Sequence, residues 1–278
     1  MNATQKTLIW LASYPKSGNT WLRAFLANYL FDTDGPATFE HVQRVSSGDC
    51  SRPSYEELAR GNPDDLKPGP FVKLRHQHLG RIAGNGAPVN FVKTHAPYRQ
   101  LSGQPLIPPW LTRSAIYMIR HPLDMLVSYA DHWGVDHGHA ARMIADKRNA
   151  VGPSPKTVAQ YLGNWSDHVK SWRDTRDIPV LVIRYEDMLA DPHAAFTQVL
   201  DHMQAPIDGA VLDQAIKHAS FESLVASEAA GGFPERGPHQ TRFFREGRTG
   251  TGREVLPPEI VDKVLSDHRS VMEKHGYA

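Results

Sequence analysis

Apolar positions along the chain fall into two patterns, short unbroken runs and longer stretches at helical spacing, and these alternate. Leu8-Ile9-Trp10-Leu11-Ala12 is an uninterrupted run of the kind that forms a strand covered on both faces of a parallel sheet. Comparable runs occupy residues 89–93, 115–119 and 179–183. Between them, Trp21, Leu22, Phe25, Leu26, Tyr29 and Leu30 recur at helical spacing, as do Met125, Leu126, Tyr129 and Trp133. Val158, Tyr161, Leu162, Trp165, Val169 and Trp172 predict one helix of four turns, and further helices are expected over 196–203 and 210–218. A last amphipathic helix starts at Pro258, with Ile260, Val261, Val264, Leu265, Val271 and Met272 facing inward. Strands alternating with helices predict an α/β chain with a central parallel sheet, whose ligands bind outside the carboxyl ends of the strands.

Other stretches read less clearly. Residues 32–70 are rich in Asp, Gly, Pro and Ser and are expected to form loops over the core, with a short helical patch near 55–60. Residues 71–87 carry Lys73, Arg75, His76, His78 and Arg81 and read as a solvated connection. His132, His137 and His139 match no familiar metal-ligand spacing, and Gly134 and Gly138 suggest a loop there, so no metal site is expected. Residues 140–157 read as irregular, broken by Gly152-Pro153-Ser154-Pro155.

Candidate chemistry gathers where strands end. The first strand leads through Ser13-Tyr14-Pro15-Lys16-Ser17-Gly18-Asn19-Thr20-Trp21 into a helix. A loop that ends at a helix N-terminus offers unpaired N–H groups and partial positive charge, so this stretch reads as a phosphate cradle. It is not the nucleotide-triphosphate loop G-x-x-x-x-G-K-[ST], because Lys16 precedes the only glycine. An ordinary connection with a solvated lysine is the alternative. The second strand ends in Thr94-His95-Ala96-Pro97, where His95 is a candidate general base or a structural hydrogen-bonder. The third ends in Arg120-His121-Pro122, and Arg120 with Ser128 on the following helix could reach a second phosphate. The fourth ends in Arg184-Tyr185-Glu186-Asp187. Its acidic pair suits either a magnesium-holding element of a kinase or a helix cap, and Tyr185 could lie against a base. Residues 236–253 interleave Arg236, Arg242, Arg245, Arg248 and Arg253 with glycines, as a loop closing on an anion would or as a solvated loop.

Charge changes this picture little. The 31 Lys plus Arg balance 30 Asp plus Glu, so no general affinity for nucleic acid follows and any anion site is local. The 278 residues suffice for one sizeable core, and no long linker divides them. The single cysteine, Cys50, excludes an internal disulfide and fits a reducing compartment. The first apolar stretch is too short for a signal core or an integral membrane segment, so a cytoplasmic location is expected.

Taken together, these stretches resemble the sulfotransferase family that uses 3'-phosphoadenosine 5'-phosphosulfate (PAPS) as donor. Residues 14–21, YPKSGNTW, are similar to the family's 5'-phosphosulfate loop. Phe91-Val92-Lys93-Thr94-His95 resembles its histidine-bearing strand, and Arg120-His121-Pro122-Leu123-Asp124 with Ser128 its 3'-phosphate motif. Arg184-Tyr185-Glu186-Asp187 and residues 243–250, FFREGRTG, resemble later elements. Glu246 stands where many members have lysine, Gly252 where many have tryptophan, and the adenine-side Thr-Ser-Phe reads Ala219-Ser220-Phe221.

The resemblance implies a single sulfotransferase domain over 1–278, a three-layer α/β fold of P-loop nucleotide-kinase type, and PAPS as donor with PAP as product and no metal. It implies His95 as base, Lys16 on the leaving oxygen and Lys93 near the sulfonate. Ser17, Gly18, Asn19, Thr20 and Trp21 would line the 5'-phosphate loop. Arg120, Ser128 and Arg245 would hold the 3'-phosphate, Tyr185 and Phe221 would bracket adenine, and Gly247 would belong to the last donor loop. The partner is a small-molecule, sugar or lipid acceptor with a hydroxyl or amine, and the oligomeric state, a homodimer included, is left open. A magnesium-dependent small-molecule kinase and a non-catalytic nucleotide-binding protein are the competing readings.

Overall fold

A computed structural model describes residues 6–31, 33–237 and 239–277. In chain order the elements are β1 (Leu8–Ser13), α1 (Asn19–Leu30), α2 (Phe39–Arg44), β2 (Ser47–Gly48), α3 (Arg52–Ala59), α4 (Pro68–Ala83), β3 (Asn90–Thr94), β4 (Gln100–Leu101) and β5 (Gln104–Pro105). They continue as β6 (Thr112–Ile119), α5 (Pro122–Trp133), α6 (His137–Ala145), β7 (Ala150–Val151), β8 (Gln160–Tyr161), α7 (Trp165–Arg173), β9 (Val180–Arg184) and α8 (Tyr185–Ala190). The chain then forms α9 (Pro192–Met203), α10 (Gly209–His218), α11 (Phe221–Gly231), α12 (Thr251–Val255) and α13 (Pro258–Lys274).

The central sheet has the order β2-β3-β1-β6-β9, and every neighbouring pair is parallel. Every residue of β1 is buried because strands pair along both its edges and helices cover both its faces. Leu8, Trp10 and Ala12 point into one layer, with side chains of α5, α7 and α13. Ile9 and Leu11 point into the other, with α1, α9 and α10. The period-two alternation along one apolar strand thus feeds two cores, and the architecture is the three-layer α/β arrangement expected. The register Ala12↔Thr94 and Ser13↔Met118 brings the carboxyl ends of β1, β3 and β6 together.

Four expectations are corrected. Residues 71–83 are not a solvated connection but the body of α4, which buries Val72, Leu74, Arg75, His78 and Leu79, and only 84–87 lie in the connection to β3. A guanidinium inside the apolar stripe masked its period, and Arg75 is tolerated there because it donates to Asp49 at 2.6 Å. The four-turn helix from Val158 is also wrong: α7 begins only at Trp165, and Gln160–Tyr161 pairs with β7. Gly163 at φ 68° turns the chain, and the Asn164 side chain then accepts from the Asp167 amide to start the helix. Val158 packs instead with Tyr55 and Leu74. Residues 137–145 form α6, capped by Asp136 and anchored by buried Ala140, Ala141 and Ile144, although glycine and histidine content suggested a loop. Likewise, residues 33–70 supply α2, the edge strand β2 and α3 besides loops, and Asp32 lies outside the described residues.

Candidate active site

The loop after β1 is bent at two left-handed positions, Lys16 at φ 69° and Gly18 at φ 106°. Gly18 is required twice over, since a Cβ there would also stand 2.9 Å from the Tyr185 ring. Asn19 ties the loop down by donating to the Leu11 carbonyl at 2.8 Å. What the loop leaves free is a set of polar atoms: Lys16 Nζ and Ser17 Oγ are buried without a hydrogen-bond partner. The Lys16 ammonium lies 3.6 Å from the Phe243 ring centroid. Burial, then repulsion by Arg245 and Arg120, pushes its pKa down to about 7. A buried lysine beside the N-terminus of a three-turn helix is an arrangement that can hold an anion.

His95 follows β3 directly and lies beside the end of β1. Its Nδ1 is 2.9 Å from the Ser13 carbonyl, which can only accept, so Nδ1 carries the proton and Nε2 keeps a lone pair. Burial and the nearby Lys93 charge lower the imidazole pKa to about 3, so the ring is neutral near pH 7. Behind it, Thr94 Oγ1 donates to Asp49 at 2.5 Å and so fixes the turn, while His168 Nε2 donates to the His95 carbonyl at 3.0 Å. Lys93 Nζ donates to Glu235 at 2.9 Å, and Arg23 donates to the same carboxylate at 2.8 Å.

Arg120 stands at the end of β6 with its guanidinium 4.3 Å from the Tyr185 ring centroid and its Nε buried without a partner. Arg245 reaches Asp131 at 3.4 Å, about one helical turn beyond Ser128 on α5. Trp21 meets Tyr185 edge to face at 5.6 Å. The Asp124 carboxylate accepts from Gly250 and Gly252 amides at 2.9 and 2.7 Å, pinning the last loop to α5. A Cβ at Gly252 would come 2.5 Å from the Leu123 carbonyl carbon, so packing against the start of α5 requires glycine here. Gly247, at φ 61°, lets the loop pass the Phe221 ring, which a Cβ would meet at 2.4 Å.

These side chains border one cleft of about 1020 Å³, lined by Lys16, Gly18, Asn19, Thr20, Trp21, Lys93, His95, Arg120, Ser128, Tyr185, Phe221, Arg245 and Gly247. Ser17 lies buried in the same loop. Glu235, Arg23 and Thr251 were not anticipated. Glu235 sits in a segment with no periodicity, and Arg23 reads as an ordinary helix arginine until folding buries it to 2% exposure. The acidic pair after β9 faces elsewhere: Glu186 accepts from the His121 amide at 2.9 Å and the Tyr277 hydroxyl at 2.6 Å, and Asp187 meets Arg184 at 3.5 Å. Of the three histidines, His132 borders the cleft and donates from Nδ1 to the Gln240 side-chain oxygen at 3.0 Å, whereas His137 and His139 open α6.

A parallel sheet with a buried lysine loop after its middle strand and an arginine at the end of the neighbouring strand defines a three-layer α/β protein with a P-loop-like fold. The family is narrower. The sulfotransferase-domain family model matches residues 6–276, and the chain belongs to that family. It is 27% identical over 232 residues to sulfotransferase 1B1 of dog, covering 78% of this chain, and spans 65% of that relative's length. It is 25% identical over 281 residues to flavonol 3-sulfotransferase of Flaveria bidentis, covering 92% of this chain and 78% of the relative. Among solved structures, mouse sulfotransferase SULT7A1 complexed with PAP superposes with a TM-score of 0.60 at 18% identity, covering 96% of this chain and 85% of that one. Retinol dehydratase in a complex with retinol and PAP gives 0.64 at 20% identity, covering 96% and 82%. These two likenesses establish the common fold. No helix among the described residues is long and apolar enough to cross a membrane.

Proposed function

We propose that the protein transfers a sulfonate group from PAPS to a hydroxyl or amine of a small-molecule acceptor. The observation that carries this reading is the set of buried donors without partners, Lys16 Nζ, Ser17 Oγ and Arg120 Nε, distributed between two strand ends of one cleft. Two separated anion sites suit a nucleotide phosphorylated at both ends of its ribose. In this reading Lys16, Ser17 and the amides at the start of α1 hold the 5'-phosphate, with Gly18, Asn19, Thr20 and Trp21 shaping the loop. Arg120, Ser128 and Arg245 hold the 3'-phosphate, and Tyr185 and Phe221 with Gly247 flank the base.

His95 Nε2 takes the proton of the acceptor as the acceptor oxygen or nitrogen bonds to sulfur. The bond between sulfur and the bridging oxygen breaks, and its electron pair stays on the phosphate of PAP. Lys16 offsets the charge growing there, and Lys93 orients the sulfonate. A neutral imidazole with a free lone pair, held by Ser13, supports the role of His95. The kinase alternative loses its motive, because Glu186 is committed to His121 and Tyr277. Incubating the protein with PAPS and extracts of its source cells, and searching by mass spectrometry for products heavier by one sulfonate, tests the reading. A PAPS-dependent product is expected. No product from extracts and a broad acceptor panel, together with no PAP binding, overturns it.

A further inference from the structure

We infer that Glu235 is a positioning residue for sulfonate transfer: its carboxylate, anchored on buried Arg23, holds the Lys93 ammonium in the cleft where the donor's sulfonate will lie. This rests on the PAPS reading above. Lys93 ends a flexible four-carbon stem in a cleft that already contains Lys16, Arg120 and Arg245. Repulsion from those cations favours a Lys93 that swings toward water. Glu235 opposes this. One of its oxygens accepts from Lys93 at 2.9 Å, and both accept from Arg23 at 2.8 and 2.9 Å.

Arg23 is a rigid anchor. It sits on α1, one turn into the helix that forms the phosphate cradle, and its side chain is only 3% exposed. The ion triad therefore links the cradle helix, the histidine-bearing strand and the loop after α11 at one point. Lys93 has three donors and spends one on Glu235, so two stay available to an incoming oxyanion. Although burial opposes it, the charges of Lys93 and Arg23 hold the Glu235 carboxyl far below the usual carboxylate range, so the clamp is ionised. Such a group is a poor proton acceptor, which separates its task from that of His95.

The test compares PAP with PAPS, whose 5' ends carry nearly the same charge once the phosphate is a dianion, above about pH 6. General electrostatic effects of a substitution then cancel in the ratio of their affinities, and placement of the group that meets the sulfonate remains. Glu235→Gln keeps a hydrogen-bond acceptor for Arg23 and removes the charge that holds Lys93. By isothermal titration, we expect the preference for PAPS over PAP to fall about tenfold, the worth of one charge-assisted hydrogen bond. Lys93→Gln should lose the same factor, and the double variant no more than either alone. Glu235→Asp keeps the charge that Arg23 needs but shortens the reach, and it should lose the preference in part. PAP binding by each variant certifies that it has folded. An unchanged ratio, tighter PAPS binding in Glu235→Gln, or additive losses in the double variant overturn the proposal. Failure of the wild-type protein to bind PAP would instead remove the donor assignment, and this inference with it.

Discussion

His95 keeps its lone pair because a carbonyl oxygen fixes the proton on the other nitrogen, and burial keeps the ring uncharged. Replacing His95 by alanine is expected to abolish transfer while PAP still binds, checked by a labelled-sulfonate assay beside titration calorimetry. Full activity would remove the base assignment. Arg120→Ala should weaken PAP binding by more than tenfold, about 1.4 kcal/mol, because alanine removes the planar fork that stands at the end of β6. Lys16 gives a pH signature. With its pKa lowered to about 7, Lys16 is mostly neutral at pH 8, and a bound phosphate dianion raises the pKa. Binding near pH 8 therefore takes up a proton, and affinity falls as pH rises above about 7. Calorimetry in buffers of different ionisation enthalpy reads this uptake directly, and zero uptake would contradict the assignment. That Lys16, His95 and Arg120 stand at strand ends was legible in the sequence, because each follows a short apolar run. Glu235 was not, since its partners stand 212 and 142 residues away.

On the scale of elements, the turn bearing His95 depends on α4 and the β2 edge. Asp49, just after β2, accepts from Arg75 of α4 and from Thr94 of β3, and all three are buried. Asp49→Ala strands the Arg75 charge in the core and is expected to cost about 3–5 kcal/mol. Denaturant unfolding would register the loss, and a change below 1 kcal/mol, on the order of an exposed pair, would show that the buried pair contributes little. Helix α4 was misread because periodicity analysis scores a buried arginine as surface. The same method misread residues 158–162, where apolar side chains at helical spacing enter two different clusters, Val158 with Tyr55 and Leu162 with the main sheet. Strand β1 escaped such errors because both its faces are apolar and no alternative burial exists for it.

Taken whole, the chain gathers Lys16, His95 and Arg120 where the parallel strands β1, β3 and β6 end, and elements from both halves of the sequence meet there. A ligand that bridges these ends should stabilise the entire fold. PAP at one hundred times its dissociation constant is expected to add about 2.7 kcal/mol, seen as a melting temperature higher by several degrees, and ATP at equal concentration should add less because it lacks a 3'-phosphate. Equal shifts from both nucleotides would argue for the kinase reading. The sequence alone determined four of the five strands of the central sheet and the helices that follow β1 and β6, because apolar runs, a glycine turn and a helix start are encoded within a few neighbouring residues. Only the tertiary structure decided which charges are paired: that Glu186 turns away toward Tyr277, that Asp124 pins Gly250 and Gly252, and that Glu235 bridges Arg23 and Lys93. Ion pairing depends on distance in space and on burial, and neither is fixed until distant segments have packed.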